Sequence, residues 1–154
     1  MAQSERSQFV YVTYIRTTPE RLWEALTDPG FIRQYWFDTT VDSAWKPGSP
    51  WKMTHSDGTL TDSGQVLEID PPRRMVILWR NEWSPELRAE GESVCTMELE
   101  PGGGVVRLSL THTIEREPSA FIAAVSAAWP MVLSNLKSLL ETGSVVLRSH
   151  FGRA

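Results

Sequence analysis

Residues 118–143, PSAFIAAVSAAWPMVLSNLKSLLETG, form the stretch that decides the fold. Glycine is absent until Gly143, and apolar side chains recur at helical spacing, which predicts a long C-terminal helix from Pro118 to Thr142. The apolar stripe consists of Phe121, Val125, Ala128, Val132, Leu136 and Leu139, widened by Trp129, Leu133 and Leu140. Gly143 is expected to cap this helix, and Pro130, which lacks a backbone N–H, is expected to kink it.

The N-terminal part predicts one strand followed by two short helices. Residues 8–16 (QFVYVTYIR) are rich in aromatic and β-branched side chains, which favours a strand. Thr18 precedes Pro19 and Glu20, the order expected of an N-cap, a first-turn proline and an acid at the positive end of the helix dipole. Asp28 precedes a second proline in the same way and predicts the start of another short helix.

The central region predicts an antiparallel meander. Turn-forming residues break it five times, at 46–50, 57–58, 70–73, 84–85 and 101–104. Between the turns, apolar and polar side chains alternate, so a period of two directs one set towards the inner face of the sheet. That set is Trp51, Met53, His55, Cys95, Met97, Leu99, Val106, Leu108, Leu110 and His112. Residues 74–81 are apolar on both faces, so the pattern does not decide which of the two faces points towards the core.

Length and composition limit the function classes. The chain has 154 residues and a formal net charge of -4, and its longest basic run is Arg73-Arg74, which excludes the basic surface that nucleic acids require. The single cysteine, Cys95, excludes an intrachain disulfide and a multi-cysteine metal site. No signal peptide is recognised, and no apolar stretch approaches the roughly 20 residues of a membrane span. Residues 1–154 are therefore expected to form a single cytoplasmic domain without nucleic-acid or membrane partners.

The element order β-αα-βββββ-β-α predicts an α+β fold in which a seven-stranded antiparallel sheet wraps around the C-terminal helix. A helix cannot lie flush on a strongly curved sheet, so a cavity is expected between them as the ligand site. Seven tryptophans exceed what a small core needs, and flat or polarizable side chains suit an apolar ligand. The predicted ligand-binding residues are Tyr35, Trp36, Trp51, Met53, His55, Trp79, Met97, His112, Trp129 and Met131.

The titratable residues indicate no catalytic or metal site. Neither His112 nor His55 has a carboxylate partner that the sequence makes visible, so no catalytic residue is predicted. The acidic residues of the central region lack a histidine at ligand spacing, and a solvated face explains them better than a metal site. These residues are Asp57, Asp62, Glu68 and Asp70. The sequence therefore predicts neither a bound metal nor a cofactor.

Motifs spread over nearly the whole chain carry a resemblance to a known family. They are residues 18–28 (TPERLWEALTD), 45–49 (WKPGS), 64–72 (GQVLEIDPP), 98–101 (ELEP), 108–112 (LSLTH) and 129–143 (WPMVLSNLKSLLETG), together with Trp79. With these motifs the chain resembles the activator-of-heat-shock-protein-90-ATPase homologue family, within the START-like, or SRPBCC, superfamily of helix-grip domains. The resemblance implies the helix-grip fold, also known from birch-pollen allergens. The superfamily includes lipid carriers, polyketide cyclases and co-chaperone domains, so fold alone does not decide the function.

Three hypotheses of function follow. The first is a non-enzymatic domain that binds an apolar or aromatic small molecule between the sheet and the C-terminal helix. The second is a cyclase- or hydrolase-like enzyme in which His112 or a tyrosine donates a proton in the same cavity. The third, implied only by the family resemblance, is a co-chaperone that binds a chaperone through an outer surface. A homodimer is also left open.

Overall fold

The structure is a computed structural model that describes residues 6–152. The strands are β1 (Ser7–Ile15), β2 (Thr39–Ser43), β3 (Pro50–His55), β4 (Leu60–Asp70), β5 (Arg74–Asn81), β6 (Ser93–Gly102) and β7 (Val105–Ile114). The helices are α1 (Pro19–Thr27), α2 (Pro29–Tyr35), α3 (Pro85–Ala89) and α4 (Ala120–Thr142). All seven strands form one antiparallel sheet in the order β1-β7-β6-β5-β4-β3-β2. The predicted α+β helix-grip fold, with two short helices after the first strand, is confirmed.

Both helices after β1 begin at the residues that the sequence predicts. The Thr18 hydroxyl accepts a hydrogen bond from the Arg21 backbone N–H at 3.2 Å. The Asp28 carboxylate accepts one from the Phe31 backbone N–H at 2.9 Å. Each cap satisfies a backbone donor that the first helical turn leaves without an intrahelical partner.

The segment between β5 and β6 contains the helix α3, where the sequence analysis expects only a turn. The Ser84 hydroxyl caps this helix by accepting from the Leu87 backbone N–H at 3.5 Å. Glu90 follows it, and its carboxylate accepts from the Ser119 hydroxyl at 2.6 Å and the Ala120 backbone N–H at 2.8 Å. The end of α3 thereby fixes the point at which α4 begins.

Alternation along the strands places one face of the sheet in the core, as predicted for β6 and β7. The buried inner-face residues are Val106, Leu108, Leu110 and His112 in β7, Cys95, Met97 and Leu99 in β6, and Met75, Ile77 and Trp79 in β5. The last three settle which face of β5 points inward. The apolar members of this set form one cluster with buried residues of α1, α2 and α4, including Phe121, Trp129 and Leu136.

The helix α4 follows the predicted pattern with two differences. It begins at Ala120 rather than Pro118, continues through Pro130 and ends at Gly143, which has a φ of 88° and donates its N–H to the Leu139 carbonyl at 2.9 Å. Val125, expected in the core, is only half-buried because it faces a cavity described below.

A buried amide on α4 holds the C-terminal tail. Asn135 is 1% exposed, and its side-chain oxygen accepts from the backbone N–H groups of Val146 at 3.0 Å and Leu147 at 2.7 Å. Its side-chain nitrogen donates to the carbonyl oxygens of Leu147 at 2.8 Å and Tyr35 at 3.2 Å. Four hydrogen bonds therefore join α4, the end of α2 and the tail, which had no predicted structure.

By length and composition, α4 could cross a membrane. The expectation that no apolar stretch approaches this length was therefore wrong. In this fold the stripe of α4 that carries Phe121, Trp129 and Leu136 is buried in the core cluster. Burial in a protein core accounts for the apolar composition of such a helix.

The caps allow a test of the start of α1. Thr18→Ala should lower the free energy of unfolding by about 1 kcal/mol, because the Arg21 N–H loses its side-chain partner. Glu20→Gln, which changes only the charge near the helix dipole, should cost much less. Urea unfolding of both variants gives the comparison, and equal losses would contradict the cap at Thr18.

Candidate functional site

A cavity of about 720 Å³ lies between α4 and the strands β3, β4 and β5. Its apolar wall includes Trp36, Phe37, Met53, Trp79, Leu87, Phe121, Val125, Ala128 and Trp129. Buried or half-buried polar residues from β4 and β5, which we call the inner end, are Thr61, Asp62 and Asn81. More exposed residues, which we call the mouth, are Asp38, His55, Asp57, Arg148, Ser149 and His150. Other hollows of the described chain include smaller ones of about 330, 380 and 400 Å³.

The structure divides the predicted ligand-binding residues into two groups. Those that line the cavity are Trp36, Met53, His55, Trp79 and Trp129. Those that do not line it are Tyr35, Trp51, Met97, His112 and Met131. The members of the second group lie behind or beside the wall, and most are part of the core.

The residues behind the wall each have a contact that explains their position. The Tyr35 hydroxyl, 1% exposed, donates to the Ala25 carbonyl at 2.8 Å, and burial raises its pKa. The Trp51 ring packs against the Trp79 ring with centroids 4.4 Å apart. Met97 is buried in the core cluster. None of these side chains is placed to touch a molecule in the cavity.

His55 lies at the end of β3, where the inner face of the sheet opens into the mouth. It pairs with Thr39 of β2, as Met53 pairs with Val41, so the period of two continues to His55. The His55 ring is 44% exposed, and its Nδ1 lies 3.4 Å from the Asp57 carboxylate. Alternation therefore gives the face of this histidine, and its exposure follows from its place at the end of the strand.

Three tryptophans from three different elements form the aromatic part of the wall. The ring of Trp36 lies edge-on to that of Trp129 with centroids 5.0 Å apart, and 6.3 Å from that of Trp79. The rings of Trp79 and Trp129 lie 5.7 Å apart, again edge-on. Such edge-on and offset arrangements are the preferred packing of aromatic pairs. The wall is therefore a packed aromatic surface with little freedom of its own.

His112 is completely buried behind this wall and orients two of its tryptophans. The Trp129 indole N–H donates to His112 Nδ1 at 3.1 Å, and since an indole nitrogen can only donate, Nδ1 carries no proton. Nε2 therefore carries it and donates to the Ser93 hydroxyl at 2.9 Å. Ser93 in turn donates to the Trp79 carbonyl oxygen at 3.1 Å. His112 is a positioning residue for the wall.

The same burial determines the protonation of His112. Loss of water around the ring lowers the pKa of His112 to about 3. Both ring nitrogens already have partners in the neutral form. The sequence hypothesis that His112 contacts a ligand or donates a proton to it does not fit this neutral, enclosed ring.

Asp62, which the sequence analysis assigns to a solvated face, is a buried polar group of the cavity. Its side chain lies at the inner end, and the residue is 8% exposed. Its Oδ2 atom accepts from the Trp79 indole N–H at 2.7 Å and from the Asn81 amide at 3.5 Å. Burial raises the pKa of the Asp62 carboxyl, and these hydrogen bonds partly offset that effect.

The assignment of Asp62 to a solvated face was wrong because of its register in β4. It pairs with Met53 of β3 and Asn81 of β5, both on the inner face. Counting back in twos from Val66, which is completely buried, also reaches Asp62. The sequence thus held a signal for this residue that its charge obscured.

The mouth is shaped by the connection after α2 and by the tail. Phe37 and Asp38 have φ values of 46° and 62°, a left-handed conformation that non-glycine residues rarely adopt. The Phe37 ring stacks on the His150 ring with centroids 4.1 Å apart.

Within residues 6–152, no group of three or more His, Cys, Asp or Glu side chains is arranged to hold a metal ion.

His112 supplies a test of this arrangement. Because its folded pKa is lowered to about 3, the unfolded state binds the extra proton first as pH falls. His112 should therefore lower the free energy of unfolding by about 1.4 kcal/mol per pH unit between pH 6 and 4. NMR of its ring should show no titration between pH 8 and 5. A titration midpoint near 6.5 would contradict the buried network.

Solved structures with this fold are known from several organisms. Protein MLL2253 from Mesorhizobium loti has a TM-score of 0.76 and 22% identity over 90% of this chain and 100% of that chain. Aha1 from Colwellia psychrerythraea, solved in solution as a dimer, has a TM-score of 0.72 and 20% identity over 89% and 98%. PFC0360w, an HSP90 activator from Plasmodium falciparum, has a TM-score of 0.70 and 20% identity over 86% and 95%. At these identities the likeness shows the fold alone.

The sequence itself identifies the family. A comparison with curated proteins finds no match. The model of the family described as activator of Hsp90 ATPase homolog 1-like protein matches residues 16–141. That span runs from the end of β1 to the last turn of α4 and contains every strand from β2 to β7. The chain therefore belongs to the activator of Hsp90 ATPase homolog 1-like family.

Proposed function

We propose that the protein binds an apolar, aromatic small molecule in the cavity between the sheet and α4. The observation that carries the proposal is the cavity of about 720 Å³ with its wall of Trp36, Trp79 and Trp129. Small-molecule sites in proteins typically enclose roughly 300–1,000 Å³ and combine an apolar wall with a few polar groups. The inner end, with Thr61, Asp62 and Asn81, supplies such polar groups.

The part of α4 that lines the cavity has small side chains beside Trp129. They are Ala124, Val125 and Ala128, whereas a larger residue of the same helix, Leu136, is buried in the core. A leucine or phenylalanine at these small positions would occupy the space and complete a solid core. The cavity therefore results from the choice of side chains on α4, and not from curvature alone.

The wall also favours flat ligands over flexible chains. Trp36, Trp79 and Trp129 present rigid rings whose mutual geometry is set by packing and hydrogen bonds. A planar ligand can stack on such rings without ordering them, which lowers the entropic cost of binding. Met53, also in the wall, can adapt to an irregular ligand outline.

The enzymatic alternative loses its proposed proton donors. His112 and Tyr35 lie outside the cavity lining, and both rings make their hydrogen bonds within the core. Asp62 is the remaining buried titratable group at the inner end. Its side-chain hydrogen-bond partners are Trp79, Asn81 and Thr61, so no second acid pairs with it in the described chain, and binding is the better supported function.

A chaperone-directed function is the second candidate, and family membership supports it. The outer face of the edge strand β1 exposes Val10, Val12 and Tyr14, at 53%, 46% and 57%. An exposed apolar stripe of this kind suits a protein partner rather than a small molecule.

Stimulation of an Hsp90 ATPase by the natural protein would identify this second function. Val12→Lys should abolish that stimulation, and a cavity-filling variant should leave it unchanged.

The substitution Ala128→Trp tests the proposed function. Ala128 lines the cavity, whereas its neighbour Ala127 is exposed and lies outside the lining. Titration calorimetry with 2-naphthylmethanol as the probe should give binding to the natural protein and to Ala127→Trp with similar dissociation constants. Ala128→Trp should weaken binding at least about tenfold, because the indole fills the space.

The same probe should raise the stability of the natural protein. At ten times its dissociation constant, 2-naphthylmethanol should raise the free energy of unfolding by about 1.4 kcal/mol. Ala127→Trp controls for the added ring and the altered helix propensity. Equal affinity of the two variants, or no binding by the natural protein, would contradict the proposed site.

A further inference from the structure

Asp62 is a buried carboxylate without a cationic partner in the described chain. Within residues 6–152, no ion pair includes it. The charge that acts on it most strongly is Glu82, which repels its negative charge. Its side-chain hydrogen-bond partners, Trp79, Thr61 and Asn81, are all neutral. Proteins rarely bury a carboxylate in this way unless a cation completes the site.

The surroundings of Asp62 match what a cation needs. Trp79, which donates to the carboxylate, also belongs to the wall together with Trp36 and Trp129. Indole rings attract ammonium groups through their electron-rich faces, and this attraction grows where water is excluded. The hydrogen bonds from Trp79 and Asn81 both fall on Oδ2. The carboxylate can therefore accept a further donor from the cavity without losing either bond.

The charged groups of the mouth form no ion pair with Asp62 in the described chain, and this includes Arg148, the arginine of the lining. Asp57 lies 3.4 Å from His55, and Asp38 lies 3.9 Å from Arg33, so both acids have basic neighbours of their own. These pairs are solvent-exposed, at 44% to 64% of the side-chain surface, where screening weakens their effect. A positive charge on a ligand is therefore stabilised most strongly at the inner end, beside the Asp62 carboxylate.

We infer that the ligand carries a protonated amine, which binds the Asp62 carboxylate while its aromatic body packs against Trp36, Trp79 and Trp129. The inference rests on the proposed function and narrows it to aromatic or polycyclic amines. The ammonium donates a charge-assisted hydrogen bond to Asp62, and this bond determines which end of the ligand enters first. A ligand carboxylate would be repelled from the same position.

Three probes of similar shape test the charge requirement. They are 2-naphthylmethylamine, which is cationic at pH 7, the neutral 2-naphthylmethanol and the anionic 2-naphthoate. The natural protein should bind the amine at least about tenfold more tightly than the alcohol, and the alcohol more tightly than the carboxylate. Equal affinity for amine and alcohol would overturn the inference while leaving the proposed function intact.

Asp62→Asn tests the residue, with Asp42→Asn as its control, because Asp42 is an exposed acid of β2 outside the cavity lining. The amide oxygen of an asparagine can still accept from the Trp79 indole, so the wall should keep its geometry. Asp62→Asn should remove the preference for the amine and leave alcohol binding unchanged. Asp42→Asn removes the same charge from the protein surface and should leave both affinities unchanged.

The outcomes separate the two proposals. If Asp42→Asn weakens amine binding as much as Asp62→Asn does, the amine responds to the overall field and the inference fails. If Asp62→Asn does not fold, the amine-to-alcohol affinity ratio decides the question: a ratio of at least about tenfold that Asp42→Asn leaves unchanged supports the inference, and a ratio near one overturns it. If none of the three probes binds, the proposed function fails and the inference fails with it.

Discussion

A chain of four buried hydrogen bonds joins α4 to the sheet and holds the cavity wall in place. It runs from the Trp129 indole to His112, from His112 to Ser93, from Ser93 to the Trp79 carbonyl, and from the Trp79 indole to Asp62. No buried side-chain polar atom of residues 6–152 lacks a partner. The Trp129–His112 bond is the one of the four that crosses from α4 to the sheet, so a shift of α4 would break it in a dry environment, which is costly. The cavity is therefore already formed before a ligand arrives.

Features that depend on near neighbours in the chain could be predicted. Thr18 and Asp28 cap their helices through bonds to residues three positions later. Gly143 ends α4 because the left-handed conformation favours glycine there. Alternation of apolar and polar residues predicts the inner faces of β6 and β7, and apolar residues at helical spacing predict α4. Together these local signals determine the element order, and the order determines the helix-grip architecture.

Features that depend on distant partners could not be predicted. The role of His112 depends on Ser93 and Trp129, which lie 19 and 17 residues away in the chain. Alternation along β7 predicts that His112 points inward, but it does not predict that protein groups hold both ring nitrogens. Asp62 was misassigned because charge suggested solvent, while pairing across two strands placed it inside. Asn135 holds the tail through bonds to residues 11 and 12 positions later, a contact that helical periodicity does not reveal.

The exchange of indole N–H protons with solvent tests the central claim, that this hydrogen-bonded chain holds a preformed wall. In NMR exchange experiments without ligand, the indole protons of Trp79 and Trp129 should exchange as slowly as amides of the central strands, because their release requires global unfolding. The indole of Trp83, a residue 65% exposed, should exchange rapidly and serves as the internal reference. Exchange of the Trp129 proton as fast as that of Trp83 would show that α4 is not fastened to the sheet, and would contradict the account.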